Sequence, residues 1–106
     1  MKIVNRIKAS DDFALAIKKG KVQRNQSYTI HYCENELGYT RVGISVSLKL
    51  GNAVVRNRVK RQVRMICDET LTYSQSIDIV IVVRKNYLDR SFEDNKESFK
   101  QLFINR

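Results

Sequence analysis

Five cations, Arg56, Arg58, Lys60, Arg61 and Arg64, stand close together in the stretch Gly51–Arg64, which holds no acidic side chain. These residue types do one kind of chemistry well. The arginine fork donates two parallel hydrogen bonds to phosphate oxygens, and lysine adds a point charge. Asn57, set between two arginines, offers a neutral donor and acceptor for a base edge or a sugar hydroxyl. Among them run Val55, Val59, Val63 and Ile66, at i, i+4, i+8 and i+11, which is one stripe of a helix. At about 100° per residue, Arg56, Lys60, Arg64 and Arg61 fan out on one side of that stripe and Arg58 flanks the other. A solvated surface helix usually mixes its charges. A helix with one face in a core and a cationic arc outside is suited to a polyanion.

The chemistry that is missing narrows the reading further. A protein nuclease needs clustered carboxylates for a metal, or a histidine-based acid–base pair. The chain has one histidine, His31, and its acids are scattered. Cys33 and Cys67 have no metal-ligand spacing, so no catalytic residue and no intrinsic metal site are expected. The formal net charge of +9 over 106 residues favours RNA, DNA or an acidic membrane surface as partner. No apolar run approaches the roughly 20 residues that span a bilayer. Met1–Arg6 is basic but lacks the apolar core of a signal peptide. The expected setting is cytoplasmic, with both cysteines as free thiols.

These cations need elements to hold them. Ser10, Asp11 and Asp12 open a first helix, with Ser10 as cap and the acids at the positive end of the dipole. Phe13 and Ile17 share one face of it. Lys18 and Lys19 close it, with Gly20 as a left-handed stop. Val22 to Cys33 reads as extended, with Tyr28, Ile30 and Tyr32 alternating with Thr29 and His31. Glu34–Gly38 is a turn. Arg41 to Leu48 is a second strand, with Val42, Ile44, Val46 and Leu48 on one face and Gly43, Ser45 and Ser47 on the other. Asn52 caps the basic helix, which runs to about Glu69. Ile77–Val83 is a strand buried on both faces. Ser91 begins a last helix with Phe92, Phe99, Leu102 and Phe103 inward. The order helix, strands, helix, strand, helix describes one α+β domain over residues 1–106.

The sequence Gly43-Ile44-Ser45-Val46-Ser47, then Lys49, Gly51-Asn52-Ala53-Val54, Arg56-Asn57-Arg58, Lys60-Arg61 and Arg64 resembles the bacterial ribonuclease P protein component. Asp12-Phe13, Asp78 ahead of the late strand and Arg84-Lys85 after it fit as well, so the resemblance covers nearly the whole chain. It implies a mixed sheet of about four strands with a left-handed crossover through the basic helix, a hand found in only about 2% of such connections. It implies binding to the catalytic RNA subunit of ribonuclease P, through Lys49, Asn52, Arg56, Asn57, Arg58, Lys60, Arg61 and Arg64. It also implies a cleft between the first helix and the sheet for the single-stranded 5′ leader of precursor tRNA. The matching positions are Arg6, Lys8, Phe13, Ile17, Thr29 and His31. Family members often carry larger aromatics at the positions of Ile17 and His31, and a lysine at that of Leu48. The hydrolysis that frees the mature 5′ end would belong to the RNA and its bound Mg²⁺. No membrane and no obligate protein partner are implied.

Three other readings share the charge. A general RNA-binding module, such as a ribosome-associated protein, would bind many structured RNAs equally. A DNA-binding protein would lay the basic helix in a major groove, a mode that the narrow A-form groove does not admit. A stand-alone nuclease would need the acid–base set that the chain lacks.

Overall fold

The β-branched run Ile77–Val83 forms β4, and the rest of the sheet assembles around it. In the computed structural model, which describes residues 1–104, the order is α1 (Ser10–Lys19), β1 (Lys21–Arg24), β2 (Tyr28–Glu34), β3 (Arg41–Ser45), α2 (Ala53–Thr70), β4 and α3 (Phe92–Ile104). Short 3-10 turns lie at Ile3–Asn5, Leu48–Leu50 and Lys85–Asp89. Positions 105 and 106 of the expected domain lie outside the described residues. The four strands lie in the order β1-β2-β4-β3. β2 is antiparallel to β1 and β4, whereas β3 and β4 are parallel and joined through α2. The expected α+β architecture with a mixed four-stranded sheet is what forms.

One face of the sheet meets α2 and α3. Tyr28, Ile30, Val42, Ile79 and Ile81 pack there against Val59, Val63, Ile66 and Phe99, all buried. Burying each large side chain fully contributes about 1.5–3 kcal/mol relative to leaving it exposed, so this layer fixes the height and roll of α2. The Tyr28 ring meets Phe99 and Tyr87 edge-on, with centroids 5.6 and 5.9 Å apart. Its hydroxyl donates to the Asn95 carbonyl at 2.8 Å, so burial brings no unpaired polar group.

The opposite face carries α1, over three cross-strand rows. Cys33, Asp78 and Arg41 form one; Val22, His31, Val80 and Gly43 form the next; Arg24, Thr29, Val82 and Ser45 form the third. Ala16 of α1, Ile7 and Val80 make a second, smaller core with Phe13, Cys33 and Val82 against it. The third row reaches solvent: Arg24 is exposed and its three neighbours are half-buried.

Several local expectations change once partners are present. Ser10 is the first helical residue of α1, and Ala9, which has no side-chain cap, precedes it. Gly20 closes α1 in extended backbone at φ −73°, not in a left-handed turn. It is needed for space: a Cβ there would lie 2.7 Å from the Tyr32 carbonyl oxygen and closer still to that of Ala16. The extended stretch after it is two strands, because Asn25 Oδ1 accepts from the N–H of Ser27 and of Tyr28 and turns the chain into a hairpin. β3 ends at Ser45, opposite Val82, one residue before β4 itself ends at Val83. Ser47 then caps a 3-10 turn and leaves Leu48 76% exposed, not on a strand face. Asp78 lies inside β4, buried, not ahead of it.

Candidate nucleic-acid interface

Gly51 and Asn52 set the start of α2. Asn52 Oδ1 accepts from the Val55 N–H at 3.0 Å, the expected cap. Gly51 has φ +154°, and a Cβ there would press on Val55 at 3.1 Å. Arg56 folds back so that its Nε donates to the Gly51 carbonyl at 3.2 Å, which pins the guanidinium at the head of the helix. Lys49 is exposed in the turn just before. α2 has no acid in its first turn and no base in its last, the reverse of what the helix dipole favours. Arg56 in the first turn and Asp68 and Glu69 in the last are thus placed against the intrinsic preference of the helix.

The stripe Val59, Val63 and Ile66 is buried as the spacing requires, and Arg58, Arg61 and Asn57 are exposed. Lys49, Arg56, Arg58, Lys60, Arg61 and Arg64 take part in none of the ion pairs among the described residues. Asp68 and Glu69 follow on the same helix, but Asp68 is held by the Tyr73 hydroxyl at 2.6 Å and the Met1 amino group at 2.7 Å, and Glu69 lies 3.4 Å from Lys96. These six cations, three exposed and three half-buried, therefore have no counter-charge among the described residues.

The second expected surface starts from Phe13. Its ring lies on Gly43: a Cβ at Gly43 would come within 2.4 Å of Phe13 Cζ. Phe13 is half-buried, with part of the ring on the smaller core and part accessible. α1 is braced beside it by Arg41, which donates to Asp78 at 2.6 and 2.9 Å and to Asp12 at 3.2 Å. Ile17, one turn on, is 44% exposed. Thr29 and His31 are half-buried in the two rows beside α1. Burial, with the Arg24 charge adding to it, holds the His31 pKa below its ordinary value, so the ring is neutral at pH 7. Arg6 and Lys8 are both exposed on a docked segment: Arg6 bridges to Val42, the Ile7 N–H donates to the Val42 carbonyl at 3.0 Å, and the Ile7 side chain is buried between them.

The two surfaces meet. A groove of about 210 Å³ between α1, β3 and α2 is lined by Arg6, Phe13, Gly43, Lys60 and Arg64. Lys60 and Arg64, grouped by sequence with the rest of the basic helix, thus face the same space as Arg6 and Phe13. Arg58 lies on the opposite flank of α2, in a separate groove against the turn Lys85–Asp89 and α3. A larger cavity of about 580 Å³, lined by Thr40, Thr70, Tyr73 and Phe103 among others, contains none of the expected site residues. In sequence, Asp12 and Asp78 stand out only as positions that match the family, and Arg41 only as the start of a strand; the ion-paired group they form is visible in the fold alone. Arg24 and Val22 on the open rows were missed, though their alternation in Lys21–Arg24 signals them.

The family model described as Ribonuclease P matches residues 1–105. A protein of Mesoplasma florum named ribonuclease P protein component is 40% identical over 100 residues, covering 92% of this chain and 91% of its own. One of Bacillus velezensis with the same name is 40% identical over 104 residues, covering 97% and 90%. The solved Staphylococcus aureus RNase P protein superposes with a TM-score of 0.88 at 35% identity, over 96% of this chain and 95% of that one. That of Thermotoga maritima gives 0.80 at 30% identity, over 92% and 93%.

Proposed function

Since the chain belongs to the ribonuclease P protein family, and so is a protein component of that tRNA-processing nuclease, we propose that it binds the RNA subunit along α2 and the 5′ leader of precursor tRNA across the α1 face of the sheet. The observation that supports this best is the set of six cations on and just before α2 that have no carboxylate partner among the described residues. A-form RNA does not admit a helix into its major groove, so α2 lies along phosphates and reads shape more than sequence. Asn52 uses its oxygen as a cap and offers RNA its amide N–H groups; Asn57 is exposed, and its amide has no hydrogen bond to another described residue.

The leader runs over Phe13, past Ile17 and across Thr29 and His31, with Arg6 and Lys8 on its phosphates. A neutral His31 suits a base better than a phosphate. At the Arg6–Phe13–Lys60–Arg64 groove the two RNAs come within reach of the same cations, which couples holding the leader to holding the subunit. The hydrolysis and its Mg²⁺ are assigned to the RNA; the described residues gather no three His, Cys, Asp or Glu side chains into a metal-holding group. The assembly needs no further protein and no membrane, and is placed in the cytoplasm. No helix among the described residues is long and apolar enough to cross a bilayer.

The test is cleavage of precursor tRNA at low Mg²⁺ by a bacterial ribonuclease P RNA, with and without this protein. A large protein-dependent gain, lost in the Arg56→Ala/Arg58→Ala double variant, is expected. Tight RNA binding without any gain would instead mark a general RNA-binding module. Cleavage by the protein with all RNA removed would mark a nuclease in its own right.

A further inference from the structure

The flank of α2 that faces away from α1 carries a second feature. Arg58, Gln62, Tyr87, Leu88, Arg90 and Phe92 line a groove of about 220 Å³ between α2, the turn Lys85–Asp89 and the start of α3. It has two guanidinium groups and no carboxylate in its lining, and neither arginine is in an ion pair among the described residues. Arg90 is held from behind: one nitrogen donates to Ser27 Oγ at 2.9 Å and to Ser98 Oγ at 2.6 Å, both neutral. Ser27 is itself fixed by donating to Asn95 Oδ1 at 2.7 Å. A half-buried cation positioned by hydroxyls and left without a counter-ion favours an anion from outside.

The floor and rim suit a flat, partly apolar group. The Tyr87 hydroxyl donates to Gln62 Oε1 at 2.8 Å, which turns the Gln62 amide and leaves its NH₂ to donate elsewhere. Leu88 is 37% exposed on the rim, and Phe92 is half-buried beside it. The space is below the roughly 300–1,000 Å³ of pockets that enclose drug-sized ligands, and suits one base with its sugar and phosphate outside.

We propose that this groove receives a single unpaired nucleotide of the RNA bound along α2, its phosphate between Arg58 and Arg90 and its base against Leu88 and Phe92 beside the Gln62 amide. The proposal rests on the reading of α2 as the RNA-subunit surface. It extends that footprint across to α3 and makes the contact one of stacking and hydrogen bonding as well as charge. The partner is the RNA subunit because the groove continues from Arg58 and Gln62 of α2, on the flank opposite the α1 groove.

Leu88→Asp tests this without touching the Ser27–Asn95–Arg90 network, since the side chain is on the rim. Loss of one seated base lowers affinity for isolated ribonuclease P RNA by about 5- to 150-fold. Chemical probing of that RNA shows one nucleotide protected by the parent protein and exposed with the variant. Leu88→Met, which keeps the apolar rim, retains both. Parental affinity and protection with Leu88→Asp overturn the proposal while leaving the wider function intact; failure of the parent protein to bind the RNA overturns that function instead. Loss confined to precursor tRNA binding in the holoenzyme overturns the assignment to the RNA subunit. Circular dichroism melts of both variants confirm that the fold is kept.

Discussion

Removing two outward cations of α2 tests the phosphate assignment most directly. Arg58 and Arg61 are exposed, and neither donates a hydrogen bond or forms an ion pair with another described residue. In Arg58→Ala/Arg61→Ala the fold loses no hydrogen bond or ion pair among the described residues, and stability stays within about 0.5 kcal/mol of the parent. Binding responds differently. Each phosphate neutralised contributes about 0.7–0.9 to the slope of log K against log salt, through released counterions. Two lost contacts flatten the slope by about 1.4–1.8. Over a roughly fourfold rise in salt, the variant therefore loses about tenfold less affinity than the parent does. Fluorescence anisotropy with labelled ribonuclease P RNA, at fixed Mg²⁺ and varied monovalent salt, reads both slopes. A variant that is weaker by the same factor at every salt concentration, with an unchanged slope, would refute the assignment of these side chains to phosphate.

Phe13→Ala removes the ring that lies on Gly43 and should weaken leader-bearing precursor more than mature tRNA, by about 1–3 kcal/mol per stacked base; equal losses in a binding competition would mark Phe13 as packing alone. His31 is the chain's single histidine, so its ring resonances titrate without ambiguity, and burial together with Arg24 places their midpoint below 6.5. The unfolded chain then takes up that proton first, so His31 erodes stability as pH falls from about 6.5 toward the folded midpoint; a midpoint at or above 6.5 contradicts this. Burial pushes the Cys67 thiol up to about 12 and raises Cys33 less. A thiol reagent followed by mass spectrometry should label Cys33 slowly and Cys67 only on unfolding, and equal native rates would contradict the packing. Asp78→Ala leaves Arg41 with Asp12 alone and Asn35 without its 2.8 Å acceptor. Urea denaturation should show a loss of about 3–5 kcal/mol, and a loss under about 1 kcal/mol would mean that Asp12 suffices.

The parts of the fold legible in sequence are those whose cause is local. The stripe Val55, Val59, Val63 and Ile66 is a helix because its period is that of a helix, and Asn52 caps it through a bond three residues long. Ile77–Val83 is continuously apolar because it sits between two layers, and Tyr28, Ile30 and Tyr32 alternate with Thr29 and His31 because each set faces a different one. The errors arose where a distant residue decides. Gly20 answers to the Tyr32 carbonyl, and β4 ends at Val83, too short to pair with a β3 that ran on to Leu48, which stays outside the sheet.

The site divides in the same way. The residue types by themselves determined that a helix of unopposed cations meets a polyanion, because charge and spacing are properties of the chain. The tertiary structure alone decided how that arc is shared. Packing of Val59, Val63 and Ile66 on the sheet sets the roll of α2, and that roll turns Lys60 and Arg64 toward Arg6 and Phe13 and Arg58 toward Arg90. Arg6 and Arg90 lie far from α2 in sequence, and only folding of the sheet brings their charges to the two flanks of one helix.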